Sequence, residues 1–432
     1  MSNLSRRQFV TIAAGSVAAA GMVSFPFIAR GANQKVVVIG GGSGGAIAAK
    51  YIRMADPTID VTLIEQNKYY HTCFMSNEVL SGERTIDSIK FSYKGLNKYA
   101  INFIYSRAMN IDPVAKTIRL AGGEEVAFDK LIVSPGVEFK WDAIDGYNAE
   151  VAEKIPHAWK AGSQTVTLRK QLEEMKDGGT VIISAPPKPF RCPPGPYERA
   201  SQIANYFKHH KPKSKVLLFD ANQAFSKQGL FTQGWEKMYG YGTDNSMIEW
   251  IPSHEEGEVV GVNVKANAVI AGEFEDEYPA DVLNIIPPQT AAKIVLDSGL
   301  TDDSGWCPVN QKTFESSLHK DIYVIGDACI AGPMPKSAYS ANTQAKVCAE
   351  AILSELQGRE MATPSYVNTC YSVVGDDFGI SVAAIYRLDN GKIISVPDSG
   401  GISPIDASAQ TRKYEVAYAH SWFSNITYEM FN

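Results

Sequence analysis

Six cysteines, Cys73, Cys192, Cys307, Cys329, Cys348 and Cys370, are the residues best suited to chemistry, since a sulfur can act as nucleophile, disulfide partner or cofactor anchor. Their settings differ. Cys192 lies in a turn crowded with proline, Ala185-Pro186-Pro187-Lys188-Pro189-Phe190-Arg191-Cys192-Pro193-Pro194-Gly195-Pro196. Cys370 lies in Asn368-Thr369-Cys370-Tyr371, and Cys73 in Tyr70-His71-Thr72-Cys73-Phe74. Cys348 falls in a helical pattern, Ala345 to Ala351, and reads as a small buried hydrophobe. Cys307 and Cys329 are ambiguous. Six cysteines allow fifteen complete pairings, so spacing alone selects none. Glu198 follows Cys192 by six residues at the start of an expected helix, where a carboxylate either moves protons for a nearby sulfur or is a helix-start charge.

A second group of residues is built for binding. Gly40, Gly42 and Gly45, with Ser43 and Gly44 among them, fall between the β-branched run Lys35 to Ile39 and an expected helix, Ala46 to Met54. A further strand, Val61 to Ile64, ends in Glu65, twenty residues after Gly45. This is the strand–glycine loop–helix–strand arrangement that holds a pyrophosphate on a helix N-terminus, with Glu65 and the adjacent Gln66 at the adenosine ribose.

The elements that must position these groups repeat the same plan. Thr180 to Ser184 and Lys215 to Phe219 flank a helical stretch, Glu198 to His209, and outline a second βαβ unit. Val259 to Val264, Val282 to Ile286 and Tyr323 to Ile325 read as strands. From about Thr363 the chain reads as strands, Ser372 to Val374 and Ile380 to Tyr386, with an aromatic segment at Trp422 to Phe431. The expected fold is α/β: two Rossmann-like dinucleotide-binding domains plus a C-terminal α+β domain. The expected boundaries are 1–31 signal peptide, 32–160 first part of an FAD domain, 161–288 a degenerate NAD-type domain, 289–362 second part of the FAD domain, and 363–432 an interface domain.

Two segments, Phe128 to Gly136 (FDKLIVSPG) and Ile322 to Asp327 (IYVIGD), look like the FAD-site signatures of glutathione-reductase-like flavoproteins. The resemblance assigns Ser134, Pro135, Gly136, Gly326, Asp327, Lys336, Ser337 and Tyr339 to FAD. Asp327 would bond the ribityl chain, and a helix from about Ser337 to Ile352 would point its N-terminus at the flavin. The second βαβ unit departs from that superfamily. Where its NADH-using members have a glycine-rich turn, this chain has prolines, which offer no N–H and hold the backbone stiffly, so NAD(P) is not expected as a substrate. The first-domain helix carries no cysteine pair either, so a redox pair would lie elsewhere, and the candidates are Cys192, in the turn that faces the flavin in such folds, and Cys370, in the C-terminal region that covers it.

Along nearly its whole length the chain resembles the flavoprotein subunits of flavocytochrome c sulfide dehydrogenases. The resemblance rests on Tyr70 to Asn77, Phe190 to Ala200 (FRCPPGPYERA), Trp306-Cys307-Pro308, Gly326 to Ser337 (GDACIAGPMPKS) and Asn368 to Ser372. It implies a thioether from Cys73 to the 8α-methyl of FAD, a redox disulfide between Cys192 and Cys370, and hydrosulfide as the substrate, with Glu198 moving protons. Since no C-x-x-C-H occurs here, haem is expected only on a separate c-type cytochrome subunit. Two other readings share parts of this pattern. One is a sulfide:quinone oxidoreductase, against which the polar, strand-like C-terminal 70 residues and the lack of an amphipathic helix pair are set. The other is a flavoprotein accessory to a thiosulfate-oxidising system.

Ser5-Arg6-Arg7-Gln8-Phe9 before an apolar run to Ala29 reads as a twin-arginine export signal, which predicts a periplasmic protein. Its cleavage would remove Arg6, Arg7 and Arg30 and no acid, taking the formal charge from -6 to -9. An acidic chain argues against nucleic acid and suits a basic protein partner. The signal run is broken by Gly15, Gly21 and Pro26, so no membrane span is expected. His71, His209 and His210 complete no set of four ligands at zinc-like spacing, so no metal is expected.

Overall fold

A computed structural model describes residues 33–432. The proposed signal segment lies outside the described residues. The first sheet begins with β1 (Lys35–Ile39), leads through α1 (Gly45–Ala55) to β2 (Asp60–Ile64), and passes the short helix α2 (Asn77–Ser81) to β3 (Asn102–Ile104) and β4 (Lys130–Val133). A second parallel sheet uses β5 (Thr180–Ala185), α3 (Gly195–His210), β6 (Lys215–Asp220), α4 (Gln228–Tyr239), β7 (Ile248–Ile251) and β8 (Val282–Ile285). The chain then returns to the first sheet with β9 (Ile322–Val324) and α5 (Ala338–Gln357). It ends in an antiparallel sheet, β10 (Ser365–Gly375), β11 (Phe378–Asp389) and β12 (Lys392–Ser395), and the helix α6 (Ala409–Phe431).

The first sheet is ordered β9-β4-β1-β2-β3 and the second β7-β6-β5-β8, every pair parallel. Runs such as Val36 to Ile39 and Val181 to Ile183 are buried on both faces, which is why they read as continuous apolar strings. In the first sheet strand order reverses at β1, with β2 on one side and β4 on the other. Ile39 lies opposite Ile64 and Val133, so the loops leaving β1, β2 and β4 converge at one sheet edge, where α/β folds bind ligands. The amides of Gly40 and Ser134 complete the ladder, bonding Ile64 O at 2.9 Å and Ile39 O at 2.9 Å.

One expectation is corrected at the C-terminus. The stretch from 409 to 431 is a single 23-residue helix, so the strand-like character expected of the last 70 residues ends near Ile402. The buried residues Arg412, Glu415, Ala419, Phe423, Ile426, Thr427 and Met430 recur every three or four positions, a helical stripe. Ser408 caps its N-terminus by accepting the Thr411 N–H at 3.1 Å. Ile426, Met430 and Phe431 complete the core of the first sheet, and Phe431 stacks on Phe91 at 5.1 Å. The helix after Asp327 starts where expected, with Ser337 as its cap, bonded by Ser340 N at 3.0 Å, and runs on to Gln357. Among the described residues, no helix is long and apolar enough to cross a membrane.

Candidate functional site

A cavity of about 770 Å³ runs along the convergent loops of the first sheet and ends against the second βαβ unit and β10. Its wall includes Gly40, Gly42, Ser43, Gly44, Glu65, Gln66, Cys73, Ser134, Pro135, Gly136, Gly326, Asp327, Ser337 and Tyr339, and, at the far end, Cys192, Glu198 and Cys370.

The glycine loop is shaped by backbone geometry. Gly40 has φ of 96°, and a Cβ there would stand 2.3 Å from Ser134 O; at Gly45 it would stand 1.9 Å from Gly40 O. Gly45 is thus a packing residue that lets α1 start against the loop and lies behind the cavity wall. Glu65 braces the loop, its carboxylate accepting the Gly41 N–H at 2.8 Å and the Asn67 N–H at 2.8 Å. Lys336 is placed otherwise than expected. Its ammonium lies 3.6 Å from the Trp306 ring centre and donates to the carbonyls of Asp327 (2.7 Å) and Cys329 (3.2 Å), so it supports the loop from behind and is absent from the wall.

The residues present fit FAD. Asp327 Oδ1 is buried and accepts no hydrogen bond among the described residues, and burial raises its carboxyl above the ordinary range against the pull of Arg191 and Lys336. A buried acceptor facing a cavity calls for hydroxyl donors such as those of a ribityl chain. The loop between β1 and α1 leaves the close backbone approach a pyrophosphate requires, and the N-terminus of α5 opens at the other end of the same wall.

Three separate elements bring the sulfurs of Cys73, Cys192 and Cys370 to the wall of this one cavity. Cys192 is held in the left-handed region, φ 58°, by its own N–H to Lys336 O at 2.8 Å and by the Gly195 N–H to its carbonyl at 2.8 Å, just before α3 starts. Cys370 comes from β10 and Cys73 from the segment before α2. All are free thiols here. Burial pushes the Cys192 thiol up, as do the charges of Glu198 and Cys370. Burial also raises Cys370, opposed by Lys227, the Asn368 amide and Ser337. Glu198 is enclosed. Burial lifts its carboxyl to about 7, although the Val373 N–H (2.9 Å), Lys227 and the Asn77 amide (3.2 Å) favour the carboxylate.

Several groups here were missed in the sequence. Arg199 is 2 % exposed and spans Asn77 Oδ1 at 3.1 Å, Asn284 Oδ1 at 2.8 Å and the carbonyls of His157 and Ala158, while burial lowers it to about 10. Arg191 lines the cavity next to Cys192 and bonds Trp159 O. Its place beside Cys192 was the one available signal. Trp422 lines the wall with its indole N–H unpartnered among the described residues, whereas Tyr428 is exposed and Phe431 is core packing. Cys348 is fully buried; Cys307 and Cys329 face each other across a parallel bridge behind Lys336.

Family models match three parts of the chain. Pyridine nucleotide-disulphide oxidoreductase matches residues 34–174, Sulfide dehydrogenase (flavocytochrome c) flavoprotein chain, central, matches 165–287, and Flavocytochrome c sulphide dehydrogenase, flavin-binding, matches 362–431. A sulfide-quinone reductase of Aquifex aeolicus is 23% identical over 371 residues, covering 81% of this chain and 83% of that one. A sulfide dehydrogenase flavoprotein chain of Chlorobaculum thiosulfatiphilum is 54% identical over 46 residues, 11% of this chain and 96% of that sequence. The crystal structure of the Aquifex aeolicus sulfide:quinone oxidoreductase superposes with a TM-score of 0.71 at 19% identity, covering 92% of each chain. The fold is therefore that of the FAD-dependent two-domain α/β oxidoreductases.

Proposed function

We propose that the chain is a sulfide-oxidising flavoprotein oxidoreductase that oxidises hydrosulfide through Cys192 and Cys370 and passes electrons to a c-type cytochrome subunit in the periplasm. The observation that carries this reading is the convergence of Cys192, Cys370 and Glu198 from three elements at the end of the cavity that the dinucleotide loop lines.

With the two cysteines joined as a disulfide, hydrosulfide attacks one sulfur. The S–S bond breaks, a persulfide forms on the attacked cysteine, and the other leaves as a thiolate. Glu198, poised near neutrality, accepts the proton that sulfide sheds as it is oxidised. When bound, FAD supplies the acceptor for the electron pair. Asp327 and Ser134 to Gly136 would hold it at the wall, and Cys73 would be its covalent anchor. The periplasmic assignment rests on Arg6-Arg7, and the cytochrome acceptor on the two flavocytochrome c family matches. A quinone acceptor is the second reading, favoured by the long match to a sulfide-quinone reductase.

The test is sulfide-dependent flavin bleaching by stopped flow. Cys192→Ser and Cys370→Ser are each expected to lose it by at least about a hundredfold while keeping the yellow colour. Full activity in either variant refutes the sulfur assignment. A peptide containing Cys73 that carries the flavin mass after acid precipitation tests the covalent bond.

A further inference from the structure

Lys227 stands at the start of α4 in the left-handed backbone region, φ 60°, and turns its side chain inward, leaving 7% of the residue exposed. Its Nζ donates to Ser372 Oγ at 2.9 Å and lies 5.7 Å from the centre of the Phe231 ring. A hydroxyl and a ring face are thin compensation for a buried ammonium, so a charge placed there needs an anion to answer it. Ser372 and Cys370 are two apart on β10 and share one face of the strand. The bond to Ser372 therefore sets the ammonium beside the sulfur. Glu198 reaches the same strand from α3 through the Val373 N–H.

Four titratable groups face Lys227: Cys370 from β10, Glu198 from α3, Cys192 from the turn before it and Glu415 from α6. Burial pulls the ammonium below its ordinary value while these four oppose the shift. The two sulfurs feel this unequally. At Cys370 the leading charge is the ammonium, joined by the Asn368 amide, 3.5 Å from Sγ, and by Ser337 in favour of negative charge, with Glu198 opposing; at Cys192 the leading charge is the opposing Glu198 carboxylate, ahead of Arg191 and Lys227, which favour negative charge.

We propose that Lys227 is the positioning cation of the sulfur pair, drawing the hydrosulfide anion in and holding the Cys370 thiolate that leaves when sulfide attacks Cys192. In that step the new S–S bond forms on Cys192, the old one breaks, and its electron pair departs on Cys370, so no outside oxidant is needed. The inference takes its substrate from the function proposed above; the charge beside Cys370 stands without it.

The test is iodoacetamide labelling of Cys370 in full-length, flavin-loaded protein after phosphine reduction, followed by peptide mass spectrometry as a function of pH. In Lys227→Met the half-labelling pH of Cys370 is expected to rise by about one unit, with labelling at pH 7 about tenfold slower, while Lys227→Arg stays near wild type. Ser372→Ala, which removes only the anchoring hydroxyl, should shift it the same way by less, and it decides the matter if Lys227→Met loses flavin. Wild-type labelling in the flavin-retaining variants overturns the proposal. The KM for sulfide should rise in Lys227→Met more than kcat falls. If labelling shifts as expected but wild-type protein does not turn over sulfide, the substrate reading fails and the role of the charge survives.

Discussion

Glu198 illustrates how a single side chain can be tuned by its enclosure. Burial raises its carboxyl to about 7 even though Val373, Lys227 and Asn77 all favour the charged form, so near neutrality it can both take and give a proton. At saturating sulfide, the rate of flavin reduction is expected to rise with pH through about 7, and Glu198→Gln should lower it about a hundredfold and flatten that limb. Stopped-flow absorbance over pH checks this. The same shift has a stability consequence of definite sign. The folded state holds this proton more tightly than the unfolded chain, whose carboxyl titrates near 4.5, so the cost of folding begins above that value and is complete above about 7. Glu198→Gln should therefore raise the melting temperature at pH 8 relative to wild type and do so much less at pH 5. A variant that loses activity without that gain would point to broken packing. The cysteines, glycines and Glu198 were legible in the sequence because their chemistry is carried by residue type and local spacing. Lys227 and Arg199 were not, since a buried cation is recognisable only once distant segments supply its partners. The placement of the Lys336 ammonium over Trp306 was not legible either, for the related reason that the loop decides it.

At the scale of elements, the two βαβ units were readable as alternating apolar strings and helical stretches, and β1 was bounded correctly from its residues alone. The C-terminal helix was not, because Tyr, Trp and Phe rich segments suit strands as well as helices and only the three-to-four residue recurrence of buried positions decides. α6 is held to α2 by His420 Nε2, 2.6 Å from Glu78 Oε1, while Arg84 donates to the other carboxylate oxygen at 2.8 Å. Burial works against the Glu78 carboxylate, yet His420 and Arg84 hold it below its ordinary 4.5. The hydrogen bond to Glu78 raises His420 above 6.5. The carboxylate's contribution is present above 4.5 and fades as pH falls through its lowered value; that of the imidazolium is full below 6.5 and fades as pH rises through its raised value. His420→Ala should accordingly lower the melting temperature most between these two pH values and less at pH 9, as thermal unfolding at several pH values would reveal. In the first βαβ unit, Gly45→Ala drives a Cβ into Gly40 O, and the expected outcome is protein purified without flavin colour or not folded at all.

For the whole molecule, the arrangement of the two sheets decides what can reach the cavity. The proline-rich turn of the second βαβ unit contributes Cys192 to the cavity wall, and its prolines offer no N–H at the position where a glycine-rich turn would present them. On the side bounded by β10 and α6, Tyr339, Tyr371 and Trp422 line both the main cavity and a second hollow that also includes Tyr418 and Glu429, and the proposed cytochrome would dock on this side. The chain carries a formal charge of -6. A basic c-type cytochrome approaching this acidic molecule is steered by long-range attraction that salt screens over about 8 Å at physiological ionic strength, whereas an uncharged quinone feels no such field. Sulfide-dependent reduction of a basic cytochrome c is therefore expected to slow several-fold between low and about 0.3 M salt, with the sulfide-driven bleaching of the flavin itself changing little. Decylubiquinone should be reduced far more slowly and without salt dependence. Quinone turnover that equals or exceeds the cytochrome rate in the same preparation would transfer the protein to the quinone-linked reading while leaving the sulfur chemistry at Cys192 and Cys370 as proposed.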